Sequence, residues 1–288
     1  MRTLLLALMT MACAAPAAAS DWRGDGKLVL TDGITTVDGS AGGGIATWAV
    51  IAGNETERGI GATAHASGVF LPDFDLEAYG VAVGFHDRVE LSYTRQSFDT
   101  REAGAALGLG RGFTFGQDIY GAKLRLFGDA VWGQDTLLPQ VTVGVQHKRA
   151  DRAPVLRAVG AGKANGTDYY LSATKVFLAR SLIVSATLRL TEANQWGLLG
   201  HGGDKGTKHG AQFEGSAALM LSPRIAVGAE LRTKPDRLGF AQEDDAYDLF
   251  AAWGIHRHLT LTAAYADLGD IATVKNQRGL FVQLQTGF

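Results

Sequence analysis

Residues 279–288 read GLFVQLQTGF. Side chains alternate across a strand with period two, so Leu280, Val282, Leu284, Thr286 and Phe288 fall on one face. Phe281, Gln283, Gln285 and Gly287 fall on the other. The first face is apolar up to the final residue, and a terminal strand has no later segment to cover it. Its partner must come from elsewhere: a second sheet, another protein, or lipid.

The opposite end narrows that choice. MRTLLLALMTMACAAPAAAS carries a basic Arg2, an apolar run from Leu4 to Met11 and the small residues Ala17, Ala18 and Ala19. This is the pattern of a secretory signal peptide, with residues 1–19 removed and 20–288 forming the mature protein. The apolar run is too short to span a bilayer as a helix. A lipoprotein reading through Cys13 would require a Leu three residues earlier, and that position holds Thr10. Cys13 is the single cysteine, so its removal leaves no thiol chemistry and no disulfide framework.

Without Arg2 the mature chain keeps 26 Lys plus Arg against 29 Asp plus Glu. This balance provides no electrostatic footprint for nucleic acid. With 38 Gly and only 6 Pro, the chain is neither collagen-like nor a proline-rich disordered polymer. No apolar run after the signal reaches the length of a membrane helix, so a membrane-spanning mature protein has to be a closed barrel.

Period-two alternation recurs along the chain, as in RVELSYTRQ (88–96), SLIVSATLRL (181–190), RIAVGAELR (224–232) and HLTLTAAYAD (258–267). The pattern predicts strands near 27–32, 43–53, 59–70, 75–86, 88–98, 115–127, 137–149, 166–178, 181–192, 209–221, 223–233, 245–255, 257–267 and 279–288. Short connections such as Asp87, ARS, SPR and HRH alternate with long ones rich in Gly and charge, such as DTREAGAALGLGRGFT and EANQWGLLGHGGDKGTK. Alternating short turns and long loops with an even strand count describe an all-β transmembrane antiparallel barrel of about 14 strands, with 12 as the alternative.

The apolar faces are nearly free of charge. The opposite faces carry Glu90, Lys123, Arg125, Arg189, Glu214, Glu230, Arg232 and Asp248. In a barrel these eight line the lumen, four acidic and four basic, and imply weak charge selectivity. Tyr79, Phe85, Tyr93, Tyr120, Tyr247, Trp253 and Tyr265 fall near strand ends on the apolar face, where interfacial girdles sit. If SPR pairs Leu221 with Ile225, Glu214 lies opposite Arg232 and Ser216 opposite Glu230.

QRGLFVQLQTGF resembles the terminal strand signal of outer-membrane barrels, here Gln277, Gly279, Val282, Leu284 and Phe288. In that class the segment is read by the barrel assembly machinery. GTDYYLSATK, NQWGLLGHGGD, AQFEGSAALMLS, RTKPDRLGFAQEDDAYD and IATVKNQRG together resemble an uncharacterised family of proteobacterial envelope proteins, domain of unknown function 3034. The resemblance implies an outer-membrane barrel in a Gram-negative bacterium and supplies no activity.

Enzyme parts are sparse. No G-x-S-x-G elbow accompanies the seven histidines. His201, Asp204 and His209 share one Gly-rich loop but match no ligand spacing. The run from Glu243 to Asp248 lacks the EF-hand pattern. GAALGLGRGF (104–113) has glycines of the phosphate-loop kind without a strand–helix context, and its apolar part is placed to fold inward over a pore. The reading is therefore a non-enzymatic channel or structural envelope protein with no metal and no cofactor, in contact with outer-membrane lipid and small solutes. An outer-membrane enzyme and a soluble periplasmic β-sandwich are the alternatives.

Overall fold

The computed structural model describes residues 26–288. The signal segment 1–19 and its cleavage point lie outside the described residues. In chain order the strands are β1 (Ile34–Thr35), β2 (Ala41–Gly42), β3 (Ile60–Phe70), β4 (Asp75–Phe85), β5 (Val89–Asp99), β6 (Thr114–Phe127), β7 (Gln140–Ala150) and β8 (Ala161–Lys163). They continue with β9 (Asn165–Phe177), β10 (Leu182–Thr191), β11 (His201–Gly203), β12 (Gly210–Ser222), β13 (Ile225–Arg232), β14 (Ala246–His256), β15 (Leu259–Asp267) and β16 (Arg278–Gly287).

Twelve of these close into an antiparallel barrel, and β16 returns to pair with β3. The terminal alternation thus belongs to a closing seam. The Phe288 carbonyl accepts from the Ala62 amide at 2.7 Å, and the Phe288 amide donates to the Ala62 carbonyl at 3.0 Å. Closure removes the sheet edge that an open arrangement would expose. Phe281, Gln283, Gln285 and Gly287 point inward and are buried, while Leu280 and Phe288 face outward. No helix among the described residues is long and apolar enough to cross a membrane.

The outer face carries the apolar members of each alternation. Leu188, Leu219, Leu249 and Leu280 stand out from the wall, and so do Tyr79, Tyr93, Tyr120, Tyr247, Trp253 and Tyr265. In water such a surface would be an aggregation hazard, and in a bilayer it is the matched side. At one end the connections are short, as at 257–258 and 223–224, with 128–139 the longest. At the other end all but 71–74 run to ten residues or more. The SPR turn differs in detail from expectation. Ser222, not Leu221, faces Ile225 across a bulge, yet Glu214 still pairs with Arg232 and Ser216 with Glu230.

The strand count resolves to twelve because the two segments expected as strands near 27–32 and 43–53 are not in the wall. Residues 30–52 are buried, filling the interior with a small β1–β2 hairpin at their centre. Twelve strands enclose more width than wall side chains fill, since about eight is the number at which they just do so. A stretch such as GGGIATWAVIAG, small and apolar with hardly a charge, is suited to pack there. Ile34, Ile45, Trp48 and Val50 are all buried within this plug.

Candidate functional site

The lumen is the polar centre of the molecule, and the plug contacts it chiefly through its own backbone. An irregular segment buried inside a barrel has amides that no ladder satisfies, so the wall must supply partners. Glu230 Oε2 accepts from the Ile45 amide at 2.8 Å and from Ala46 at 3.3 Å. Glu214 Oε2 takes the Thr47 amide at 2.7 Å, and Glu90 Oε2 takes Ala52 at 2.8 Å. Lys123 Nζ donates to the Val50 carbonyl at 2.9 Å and the Ala41 carbonyl at 3.2 Å, with Glu90 at 3.3 Å. On β16, Gln285 Oε1 accepts from the Thr35 amide at 2.6 Å, and Gln283 Nε2 donates to the Thr35 carbonyl at 2.6 Å.

At the tip of the plug, Asp38 Oδ2 meets Arg232 at 2.7 Å and Lys148 at 3.0 Å. The lysine also reaches Asp168 at 3.1 Å. Arg189 ties Glu214 to Asp168 and donates to Gln146 at 2.7 Å and to the Thr47 hydroxyl at 2.9 Å. Its guanidinium lies 4.9 Å from the Tyr170 ring centroid. Charges so deeply buried are tolerable only because each has an opposite charge and further hydrogen bonds around it. Backbone fit is just as tight. A Cβ at Gly43 would collide with the Glu230 carboxylate, and one at Gly39, where φ is +92°, would strike Thr94.

Seven of the eight charges read as lumen-lining, namely Glu90, Lys123, Arg189, Glu214, Glu230, Arg232 and Asp248, are buried inside the barrel. Arg125 sits at the short-connection rim, bonded to Asp87 and to the Gly128 carbonyl, with Asp129 at 3.3 Å. Glu230 and Asp248 face each other directly across β13 and β14. Of the terminal-signal residues, Gly279, Val282 and Leu284 lie in β16. Gln277 precedes the strand and is buried, with Nε2 donating to Asp73 at 2.9 Å.

Sequence reasoning missed Lys148, Asp168 and Asp38. The first two had a signal, because Thr142, Gln146 and Lys148 alternate with Val141, Val143 and Val145, as Asp168, Ser172 and Thr174 do with Tyr169, Leu171 and Ala173. Asp38 had none while its segment was read as a connection between two wall strands. His201, Asp204 and His209 do not converge. His201 is buried in β11, Asp204 accepts from the Gly239 amide at 2.7 Å, and His209 is bonded to the Thr167 carbonyl at 2.8 Å.

At the rim of the short connections, burial raises the Glu55 carboxyl to about 7, and Lys27, 3.7 Å away, pulls it back only in part. Glu243, in the 233–245 connection, is likewise raised by burial to about 7 beside Lys234, whose own value burial lowers.

A closed antiparallel wall, apolar outside and charged inside, is the architecture of an outer-membrane β-barrel. Within that class the chain belongs to the family described as protein of unknown function (DUF3034), which matches residues 31–285. No curated protein matches the sequence. Solved structures of similar fold include the NanC porin, with 10% identity over 79% of this chain and 98% of that one, at a TM-score of 0.50. The KdgM porin shares 9% identity over 78% of this chain and 99% of its own, at a TM-score of 0.49. Outer membrane phospholipase A from Escherichia coli shares 10% over 78% and 89%, at 0.43. At these identities the likeness is one of fold alone.

Proposed function

We propose that the protein is a non-enzymatic outer-membrane channel of a Gram-negative bacterium, held shut by its own N-terminal segment and exported with a signal peptide cut after Ala19. The observation that supports this is how the plug is held. Its backbone amides rest on Glu90, Glu214 and Glu230, partners that water can replace once the segment moves. A lumen wall of this polarity is suited to a water-filled path, whereas a permanently filled interior gains more from apolar packing. The mixed charge of the wall fits small polar solutes and weak selectivity. Lipid covers the outer face, and the terminal strand is the segment offered to the assembly machinery.

One observation favours a second reading, a permanently closed envelope barrel: the charged network of Asp38, Lys148, Asp168, Arg189, Glu214 and Arg232 is closely paired throughout. Planar-bilayer recording separates the two. A channel gives openings that disappear when Thr35→Cys and Gln285→Cys are cross-linked and return when the link is cleaved. A wild-type barrel that never opens is the envelope protein.

A further inference from the structure

The end of the barrel bearing the long connections holds a cavity of about 180 Å³ that the lumen chemistry does not use. Each of the six connections at that end contributes to its lining: Phe74 from 71–74, Leu107 and Leu109 from 100–113, Val159 from 151–164, Leu198 and Leu199 from 192–209, Phe240 from 233–245, and Ile271 from 268–277. Phe98 and Phe115, at the ends of β5 and β6, complete it. Phe74 and Phe98 stack with centroids 5.0 Å apart, which gives one wall an aromatic face. Loops of separate origin rarely meet around an apolar hollow, because exposed connections are ordinarily polar and face water.

The lining contains no charged side chain, and both of its polar side chains are engaged. Thr100 Oγ1 donates to the Phe113 carbonyl at 2.8 Å, and Gln195 Nε2 donates to the Asp270 carbonyl at 3.2 Å. An ion entering the hollow would lose its hydration without compensation. Two lining residues also have backbone conformations that L side chains avoid: Gln195 at φ 43° and Ala272 at φ 55°, both buried. Such strain persists where the surroundings over-determine it, and it clusters at ligand-holding sites.

We infer that this cavity is a binding site for a small uncharged hydrophobic molecule built on a single aromatic ring. Size selects the ligand, since an apolar hollow of about 150 Å³ lined by Leu, Ile and Phe stays dry and accepts benzene. A ring with a few added atoms fits 180 Å³, and a long acyl chain does not. The site goes beyond the channel reading and holds whether or not the lumen conducts.

The test is ¹⁹F NMR of fluorobenzene with the full barrel in lipid nanodiscs, referenced to empty nanodiscs. The expected result is a saturable, protein-dependent signal approaching one ligand per barrel, with no counterpart for fluorobenzoate, which adds a charge to the same ring. Leu198→Trp, which fills the hollow, should weaken binding about tenfold or more. Ala251→Trp, on the outward wall among Ala217, Ala229 and Ala263, should leave it unchanged. If Leu198→Trp does not give a heat-modifiable barrel, Leu107→Trp at the rim takes its place. Absence of a saturable signal, retention of it in the filled variant, or its loss in Ala251→Trp overturns the assignment.

Discussion

Asp38 Oδ2 lies 2.7 Å from the guanidinium of Arg232 and 3.0 Å from the ammonium of Lys148, so one plug carboxylate joins strands on different sides of the barrel. Asp38→Asn leaves both cations buried with fewer counter-charges. The expected loss of stability is about 3 kcal/mol, read from denaturant unfolding in detergent. A wild-type midpoint would mean that Asp168 and Glu214 suffice for Lys148, Arg189 and Arg232.

Neutralising the two members of the Glu230–Asp248 pair should have opposite effects. Asp248→Asn removes a buried ionisable carboxyl directly across the sheet from Glu230, one whose Oδ1 has no hydrogen-bond partner, and should stabilise by about 0.5–1 kcal/mol. Glu230→Ala deprives the Ile45 and Ala46 amides of their acceptor and should cost about 2 kcal/mol. Paired thermal melts give the comparison, and shifts of the same sign would contradict it.

Leu188 and Thr187 are chain neighbours on opposite faces. Alternation alone makes the inward position the tolerant one, as in a water-filled pore. The filled lumen changes this. Thr187 Oγ1 donates to the Thr47 carbonyl at 2.7 Å and lies 2.6 Å from Ser172 Oγ. Leu188→Arg should cost about 2–4 kcal/mol through the lipid face. Thr187→Arg should also be damaging, by displacing the plug, and it alone should give standing conductance in a planar bilayer.

The contribution of Glu55 to stability should fall as the pH rises from the ordinary glutamate value of 4.5 toward 7. Burial raises Glu55 to about 7, so the folded state holds this proton more tightly than the unfolded chain does. The stability it contributes is therefore complete at low pH and lost across that window. Lys27, Asp87 and Asp32 face Glu55, and Glu243 at the far end acts in the same direction. Glu55→Gln should flatten the dependence by on the order of 2–3 kcal/mol, and an unchanged pH profile would refute this account.

Deleting Phe288 removes the final pairing with Ala62, along with the aromatic end of the terminal alternation. The truncated protein should be exported and processed normally but depleted from the outer-membrane fraction on immunoblots. Undiminished membrane levels would separate the seam from assembly.

The wall was largely legible in the sequence. Strict alternation in segments such as 181–190 and 224–232 fixes which side chains face inward, and even the Glu214–Arg232 pairing follows from it. The plug was not legible, because 43–53 is apolar on both faces and a segment buried on both faces has no preferred period. Reading it as wall gave two strands too many and hid Asp38, whose role depends on residues more than a hundred positions away. The apolar part of 104–113 is expected from sequence to fold inward over a pore, and in the structure Leu107 and Leu109 line the outer cavity instead. The five connections that join them there could not be inferred from local pattern.

The bond between Thr35 and Gln285 spans 250 residues. Contacts that distant form late, because the intervening chain must be ordered before they can be rewarded. The interior segment, early in the chain, gains its Thr35 partners Gln283 and Gln285 only when β16 is in place, and β16 is also the strand that seals the wall against β3. Filling and closing thus share a strand, and a barrel sealed without its contents would face the cost of threading them in through a rim already crossed by its own turns.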